Sequence, residues 1–444
     1  MSIVHVIKES IVFVGTSDLT GLFRGKSVPL ARLQEAHFRG VGWVPTNALI
    51  TCFDGIGDSP YGSLGDLFIA PDISTLVAVD YEDGSAAERF VIGDIQHLNG
   101  SAFACCSRAQ LARAIERLRR LTSLELVASF EHEFQFQPVE SSIMNTPSFS
   151  MKGHREAAGF GETLIAALRV AGLKPESFIK EYGADQFEVP VGASTGVRAA
   201  DQAVMLRELV RATALRFDRT VSFTPLRSLE GVGNGVHVHF SLKDLTGMPV
   251  MYDSRSPYNL SDVAGSFVAG ILKYLPEFLC LTAPLPISYQ RLTPHRWSAA
   301  YNNLGAQDRE ASLRICPVTG DSDDQRASRF NVEYRAADAA ASPHLVLAAL
   351  IHAGAQGIEE KLAAPCVTVD DLSLLEDSVL ESRGLSRLPQ SLSEALACFE
   401  SSDVIQAWFG KEFQQVYLAL KQEELAHVND MKPVEQCAFY GHIY

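Results

Sequence analysis

Short runs of alternating apolar and polar residues dominate the first hundred positions of the chain. IVFVG, STLVAVDY and ERFVIGDIQ are rich in β-branched residues, and Gly, Asp and Pro lie between them, as is typical of short strands and turns. A helical pattern follows in SRAQLARAIERLRRL, with Ser107 as the expected N-cap. This change of pattern near residue 104 predicts a small β-rich domain, residues 1–103, in front of a larger domain, residues 104–444.

Strands and helices alternate beyond residue 104. LELVASFEHEFQFQP alternates as a strand, and GETLIAALRVAGL is an amphipathic helix that is expected to end at Gly172. DQAVMLRELVRATALRF predicts a helix capped by Asp201, and SPHLVLAALIHAGAQGIEEKL predicts one capped by Ser342 with Pro343 at its first position. The last hundred residues are mainly helical in pattern. Together these segments predict the α+β class.

The charge balance and the cysteines narrow the choice of partner and compartment. The 444 residues carry a formal net charge of -15, which argues against nucleic acid or an anionic membrane surface as the main partner. None of the 8 cysteines forms a CxxC pair, which favours reduced thiols in the cytoplasm. The most apolar long stretch, VAGSFVAGILKYLPEFLCLTAPLP, is interrupted at Lys273, Pro276 and Glu277, and we expect it to be too short to cross a membrane.

Acidic residues and histidines recur at strand-like spacing. Glu131 and Glu133 in SFEHEFQF share one strand face; a lone ExE is more often a solvated face, but a divalent cation would relieve the repulsion between them. His237 and His239 in GVGNGVHVHFSL also share a face. Each pattern alone is weak. Five carboxylates and one histidine together predict a two-metal site. The three carboxylates not yet named are Glu181, Glu188 and Glu333.

The order of these patterns resembles the glutamine synthetase family. ExE is followed by ExxxxQxE, a glycine-rich HxHxS, RLxP and ExR-(A)xDxxxxP. The likeness continues through DLTGLFRGKSVPL and FDGIGDSPYGSLGDLFIAPDISTL near the start and LPQSLSEALACFESSDVIQAWFGKEFQQVYLALKQEEL near the end. It implies a β-grasp-like N-terminal domain followed by a catalytic domain with a curved antiparallel sheet flanked by helices.

The resemblance also implies a set of ligands and contacts. Two or three Mg²⁺ or Mn²⁺ ions would lie between ATP and glutamate, held in two sets of three, Glu133, Glu181 and Glu188 nearest the glutamate and Glu131, His237 and Glu333 nearest the nucleotide. His239, Ser241 and Arg314 would contact ATP. The remaining implied contacts are Arg291 and Gly233 with glutamate, Arg309 and Arg314 with the transferring phosphoryl group, and Arg335 with glutamate and the phosphorylated intermediate.

The sequence departs from ammonia-using members of that family at the flap and at the glycine-rich loop. Trp297 stands where those enzymes have a glutamate that helps to deprotonate ammonium, and Val232 stands where they have an asparagine. The same tryptophan occurs in relatives that join glutamate to alkylamines, polyamines or ethanolamine, although it could simply pack the flap. Asp54 and Asp66 match acids that line the amine site from a neighbouring subunit.

The resemblance therefore implies an ATP-dependent ligase that makes a γ-glutamyl amide from glutamate and an organic amine through γ-glutamyl phosphate. Two alternatives remain open, an ordinary glutamine synthetase that uses ammonium and a non-catalytic oligomer of the same fold. The implied partners are small molecules and further copies of the chain, in a dodecamer of two stacked rings.

Overall fold

The N-terminal region is built around a six-stranded sheet. The computed structural model describes residues 7–137 and 147–444. The sheet order is β2-β1-β6-β4-β3, with β5 also paired to β6, and only β1 and β6 pair in parallel. Its strands are β1 Ile11–Ser17, β2 Phe23–Pro29, β3 Val41–Trp43, β4 Leu67–Pro71, β5 Val77–Val79 and β6 Glu88–His97.

The larger region carries a ten-stranded sheet, and the long strand β7 lies at its centre. The order is β16-β13-β14-β15-β12-β7-β9-β8, and β10 and β11 also pair with β7. Pairing is antiparallel except where β13 meets β14 and β16. The strands are β7 Leu124–Phe136, β8 Ile179–Lys180, β9 Gln186–Pro190, β10 Ser194–Thr195, β11 Val221–Ser222, β12 Val236–Asp244, β13 Leu304–Ala306, β14 Leu313–Ile315, β15 Val332–Tyr334 and β16 Val367–Thr368.

Helices pack against this sheet and supply most of the apolar core. The central contacts join α1, α4 and α7, whose alanine- and leucine-rich faces are buried. The helices are α1 Ser107–Thr122, α2 Met151–Val170, α3 Arg198–Arg216, α4 Asp262–Thr282, α5 Ser288–Arg291, α6 Asp323–Arg329, α7 Pro343–Glu359, α8 Asp377–Ser382, α9 Leu392–Glu400, α10 Asp403–Phe409, α11 Lys411–Val428 and α12 Pro433–Ile443. The α+β class and the helical C-terminal region are confirmed.

Two of the predicted helix caps are wrong. Helix α1 already includes Ser107, whose hydroxyl donates to the backbone oxygen of Ser17, and the N-cap is Cys106. Asp201 lies inside α3, where its carboxylate accepts hydrogen bonds from Arg108 at 3.0 and 3.1 Å. Both side chains form hydrogen bonds with residues distant in the sequence, so neither caps its helix. Ser342 does occupy the N-cap position of α7.

Helix α4 is longer than the sequence pattern suggested. It continues through Pro276 and is long and apolar enough, by those two criteria alone, to cross a membrane. However, 72% of its most apolar window is buried inside the protein, against α7 and α9. This burial is the behaviour of a core helix.

A buried charge network joins the two regions. The Arg108 guanidinium reaches Asp94 at 2.9 Å and Asp72 at 2.6 Å in the N-terminal region, as well as Asp201 in α3. Asp201 also lies 2.9 Å from Nε2 of His344 in α7. A bidentate guanidinium with several carboxylate partners orients the small sheet on the larger region.

Candidate active site

Strands β7 and β12 place the acidic pair and the histidine pair on one surface. In their antiparallel register, His237 lies directly opposite Glu131. His239, two residues further along, lies opposite Glu333 of β15. His237 Nδ1 is 3.5 Å from Glu333 Oε1, and His239 Nε2 is 3.3 Å from Glu131 Oε2. The alternation predicted from the sequence therefore brings four chemically reactive side chains together.

Strand β9 adds further carboxylates to this surface. Glu188 is the direct cross-strand partner of Glu133, and Glu181 follows β8. Burial, together with repulsion from Glu131, Glu133 and Glu181, raises the pKa of Glu188 to about 9. Burial likewise raises the pKa of Glu133 to about 7. Such closely spaced buried carboxylates are costly unless cations neutralise them.

The ligand atoms of Glu131, Glu188 and His237 all lie within 4.8 Å of one another. Burial holds the pKa of His237 well below its ordinary value, so the imidazole is neutral, which is the form that binds a metal. Oxygen donors with one imidazole suit a hard divalent cation. This trio mixes the two ligand sets implied by the resemblance, since Glu188 belongs to one set and the other two residues to the second.

Glu333 is the most strongly engaged of the carboxylates. It accepts a hydrogen bond from Arg314 Nη1 at 2.6 Å and another from Arg335 Nη1. Burial by itself would raise its pKa, but the neighbouring His237, Arg335, His239 and Arg314 outweigh burial and lower the pKa to about 2. Glu333 is therefore a permanent anion that positions both arginines.

The glycine-rich loop before β12 is held by side-chain amides. Asn234 is fully buried, and its Oδ1 accepts a hydrogen bond from Gln186 Nε2 at 2.9 Å. Gln186 Nε2 also donates to the Gly233 oxygen at 2.8 Å. The Gly235 amide donates to Glu133 Oε2 at 2.6 Å, which ties the loop to the acidic pair. The glutamine of the ExxxxQxE pattern thus supports the loop.

Gly233 lets the loop approach the aliphatic part of the buried Arg291 side chain. A methyl group there would lie 2.4 Å from Arg291 Cδ and 2.7 Å from the Pro225 oxygen. Arg291 itself donates to Ser298 Oγ at 3.2 Å and to the Ala337 oxygen at 2.6 Å. Its Nε has no hydrogen-bond partner among the described residues. A buried cation with a free donor is suited to binding a carboxylate.

The flap, residues 295–297, carries Trp297 and is held by Glu310. Glu310 accepts hydrogen bonds from the backbone amides of His295 and Trp297, both at 3.0 Å. His295 and Trp297 have φ values of 62° and 55°, a left-handed conformation that is strained for these residues. Arg335 Nη2 donates to the Trp297 oxygen at 3.2 Å, and its Nε donates to the Arg309 oxygen at 2.8 Å. The indole is 69% exposed.

The remaining predicted residues lie at the edge of the site or away from it. Ser241 follows His239 on the same face of β12, and the charge of Arg309 acts on Glu181. Asp54 is exposed and pairs with Arg24 Nη1 at 2.7 Å, and Asp66 is also exposed. We call the carboxylates Glu131, Glu133, Glu181, Glu188 and Glu333 the acidic cluster. Within the described part of the chain, no hydrogen bond or ion pair joins Asp54 or Asp66 to it.

No role was predicted from the sequence for three residues that lie beside the candidate site. Glu310 anchors the flap, and Cys316 follows β14 beside His239. Asp338 is completely buried, and burial, opposed by the charge of Arg291, raises its pKa to about 6. Asp338 was visible as the aspartate of the ExR-(A)xDxxxxP pattern, whereas nothing in the sequence marked Cys316. A cavity of about 430 Å³ lies beside the flap, but none of the six implied metal ligands lines it.

Comparison with known proteins places this arrangement in a family. A family model for the glutamine synthetase catalytic domain matches residues 104–439, and one for the glutamine synthetase N-terminal domain matches residues 3–103. The chain is 33% identical over 427 residues to a gamma-glutamylpolyamine synthetase from Streptomyces coelicolor, covering 93% of this chain and 89% of the relative. It is 29% identical over 439 residues to a glutamate–isopropylamine ligase from a Pseudomonas species, covering 94% and 91%.

The fold agrees with these sequence matches. The crystal structure of a novel glutamine synthase homolog is 37% identical and superposes with a TM-score of 0.91, covering 99% of this chain and 100% of the other. Both the small β domain and the catalytic sheet are included in that coverage. The protein therefore belongs to the glutamine synthetase family of ATP-dependent ligases.

Proposed function

We propose that this protein joins the γ-carboxylate of glutamate to an organic amine, with ATP as the phosphoryl donor. The observation that carries the proposal is Trp297, an exposed indole on a flap that is tied through Arg335 to Glu333. An indole has no group that accepts a proton, but its face attracts a cation and packs against alkyl carbon. It therefore favours an alkylammonium group over ammonium itself.

The donors of the cluster fit divalent cations. The family uses ATP with divalent metals, and the ligand atoms of Glu131, Glu188 and His237 already converge within 4.8 Å. We propose two or three Mg²⁺ or Mn²⁺ ions, held by the six implied ligands, Glu131, Glu133, Glu181, Glu188, His237 and Glu333. When bound, such ions neutralise the phosphates of ATP and stabilise the charge that develops during phosphoryl transfer.

Arginines would bind and orient the acid substrate. Arg291 is buried, its Nε has no hydrogen-bond partner in the described part of the chain, and it would hold the α-carboxylate of glutamate. Gly233 would bring loop backbone against the same substrate, since a side chain there would collide with Arg291. A guanidinium offers two parallel donors to a carboxylate, so it fixes orientation as well as position.

The chemistry then proceeds in two steps. A γ-carboxylate oxygen attacks the γ-phosphorus of ATP, the bond to the bridging oxygen breaks, and ADP leaves with γ-glutamyl phosphate formed. Arg309, Arg314 and Arg335 would neutralise the transferring group, while His239 and Ser241 contact ATP. The neutral amine next attacks the acyl carbon, inorganic phosphate leaves and the amide nitrogen loses a proton. Asp54 and Asp66 of a neighbouring copy would bind the ammonium form, with Asp54 as its proton acceptor.

The decisive experiment is phosphate release from ATP with glutamate and a panel of acceptors. The panel contains ammonium, isopropylamine, ethanolamine, putrescine and spermidine, each over a range of concentrations. We expect kcat/KM to be higher for at least one organic amine than for ammonium. Mass spectrometry of the product should show the corresponding γ-glutamyl amide.

A pair of variants at the flap tests the role of Trp297. Trp297→Glu should move the ratio of kcat/KM values toward ammonium by about tenfold or more, because it replaces an apolar surface by a proton acceptor. Trp297→Phe keeps an aromatic face and serves as the matched control. Ammonium as the best acceptor of the wild type would overturn the proposal, and a Trp297→Glu protein with unchanged preference would remove Trp297 from it.

A further inference from the structure

A thiol lies at the nucleotide side of the acidic cluster, where the proposed function does not use it. Cys316 follows β14 directly and is 9% exposed. Its Sγ is 3.6 Å from His239 Nδ1 and 3.9 Å from Glu333 Oε2. Ligand atoms of these three residues all lie within 4.8 Å of one another. Thiol, imidazole and carboxylate thus converge on one small volume.

These separations match the edges of a tetrahedral metal site. Zn²⁺ binds cysteine sulfur at about 2.3 Å, histidine nitrogen at about 2.0 Å and carboxylate oxygen at about 2.0 Å. At tetrahedral angles, the sulfur-to-nitrogen and sulfur-to-oxygen edges of such a site are each about 3.5 to 3.6 Å. The observed 3.6 and 3.9 Å are therefore close to what an ion would require, with small movements of side chains.

We propose that His239, Cys316 and Glu333 form a binding site for a thiophilic divalent cation such as Zn²⁺. Thiolate ligands select Zn²⁺ and similar ions, whereas Mg²⁺ prefers oxygen donors. The charges of Arg314, which contacts Glu333 Oε2 at 2.6 Å, and of Arg335, which donates to Glu333 Oε1, oppose any cation here. A thiophilic ion displaces the thiol proton, so that a thiolate is added to the Glu333 carboxylate and offsets part of the positive charge of the ion and the two arginines.

Two existing contacts must yield to the ion. Asn331 Oδ1 lies 2.8 Å from His239 Nδ1, and the ion replaces this hydrogen bond. Arg314 shares Glu333 Oε2 and has to shift or share that oxygen with the ion. The three ligands leave one tetrahedral position, which water or a phosphate oxygen can fill.

Occupation of this site should inhibit the ligase. Glu333 is one of the proposed ligands for the nucleotide-side metal, and His239 is a proposed contact of ATP. Zn²⁺ would therefore withdraw both groups from the nucleotide. This consequence rests on the proposed function, whereas the binding of the metal does not.

Cobalt spectroscopy tests the binding directly. Co²⁺ replaces Zn²⁺ in tetrahedral sites, and a cysteine ligand produces a sulfur-to-cobalt charge-transfer band in the near ultraviolet. We expect this band in the wild-type protein, its loss on addition of Zn²⁺, and its absence from Cys316→Ser. Cys366→Ser, at an exposed cysteine, is the matched control and should retain the band.

Competition with a coloured zinc chelator gives the affinity. Cys316→Ser should bind Zn²⁺ about tenfold more weakly or worse, which corresponds to about 1.4 kcal/mol. Its half-inhibitory Zn²⁺ concentration in phosphate release should rise by a similar factor. Should Cys316→Ser fail to fold, Cys316→Ala takes its place in every measurement.

Two results would overturn the site. One is a wild-type cobalt spectrum without a thiolate band, and the other is a band that survives in the Cys316 variant. A thiolate band in a protein that shows no amide synthesis with any amine would uphold the site while refuting the proposed function. Zn²⁺ binding without inhibition would refute only the inhibitory consequence.

Discussion

Glu310 anchors the flap that carries Trp297, and its removal should lower the activity toward the amine. Glu310 accepts two backbone hydrogen bonds, from His295 and Trp297, and both of those residues are held in the left-handed region. That conformation costs about 1 to 2 kcal/mol for a residue with a side chain. Without Glu310 the flap should relax to ordinary backbone angles, and Trp297 should leave the position in which we propose that it meets the amine.

The size of the effect follows from the two hydrogen bonds. Each contributes about 1 kcal/mol net, since Glu310 is only partly buried. Glu310→Ala loses both, so the ordered flap should become less favourable by about 2 kcal/mol, or roughly 30-fold. Glu310→Gln keeps one oxygen acceptor and should lose about 1 kcal/mol, a factor of about 5.

The assay is phosphate release with the best organic amine, at saturating ATP and glutamate. We expect kcat/KM for the amine to fall in the order wild type, Glu310→Gln, Glu310→Ala, with the affinity for ATP unchanged. Glu116→Ala, at an exposed position of α1, is the control for a lost surface carboxylate. Equal effects of Glu310→Gln and Glu310→Ala, or a loss of ATP affinity in step with the amine, would refute the reasoning.

Three further predictions concern the acidic cluster and the glycine-rich loop. Mg²⁺ at 100 times its Kd should stabilise the protein by about 2.7 kcal/mol, measured as a rise in Tm. At neutral pH, burial and the neighbouring Glu131 and Glu133 keep Glu188 protonated in the metal-free protein, with a pKa of about 9, whereas the unfolded chain ionises it. Glu188→Gln removes the free-energy cost of taking up that proton, so it should raise the Tm of the metal-free protein. It should also reduce the rise in Tm caused by Mg²⁺, and a larger rise would contradict this. Gly233→Ala should displace Arg291 and lower kcat/KM for glutamate by about 100-fold. Gly42→Ala, where a methyl group meets nothing within 4 Å, should leave that value unchanged, and similar effects of the two would contradict the role of Gly233.

Much of the candidate site could be predicted from the sequence, because the alternation of side chains along a strand depends only on residues close together in the chain. A period of two residues places Glu131 with Glu133 and His237 with His239 on common faces whatever the strands pair with. Strands β7 and β12 pair with each other, with His237 opposite Glu131, so the acidic and histidine side chains lie side by side. The family resemblance added the remaining carboxylates and arginines of the candidate site, because residue types and their order are themselves properties of the sequence.

The tertiary structure decided which polar side chains could cap the helices in which they lie. Ser107 and Asp201 have the right chemistry and position to cap helices, yet their tertiary hydrogen bonds to Ser17 and Arg108 exclude that role. The interruption that the sequence pattern indicated at Pro276 does not break α4, for a related reason. Its packing against α7 and α9 offsets the cost of Pro276 within the helix.

The sequence by itself determined the fold class, the faces of the strands and the kinds of donor in the site. Only the tertiary structure decided that Glu310 holds the flap and that Cys316 faces His239 and Glu333. The contact of Glu310 with Trp297 depends on the left-handed turn of the flap, and the contact of Cys316 with His239 depends on the order of the strands in the sheet. Both are set by the packing of the whole sheet. Residue type and spacing carry no information about them, because local periodicity ends where a strand ends.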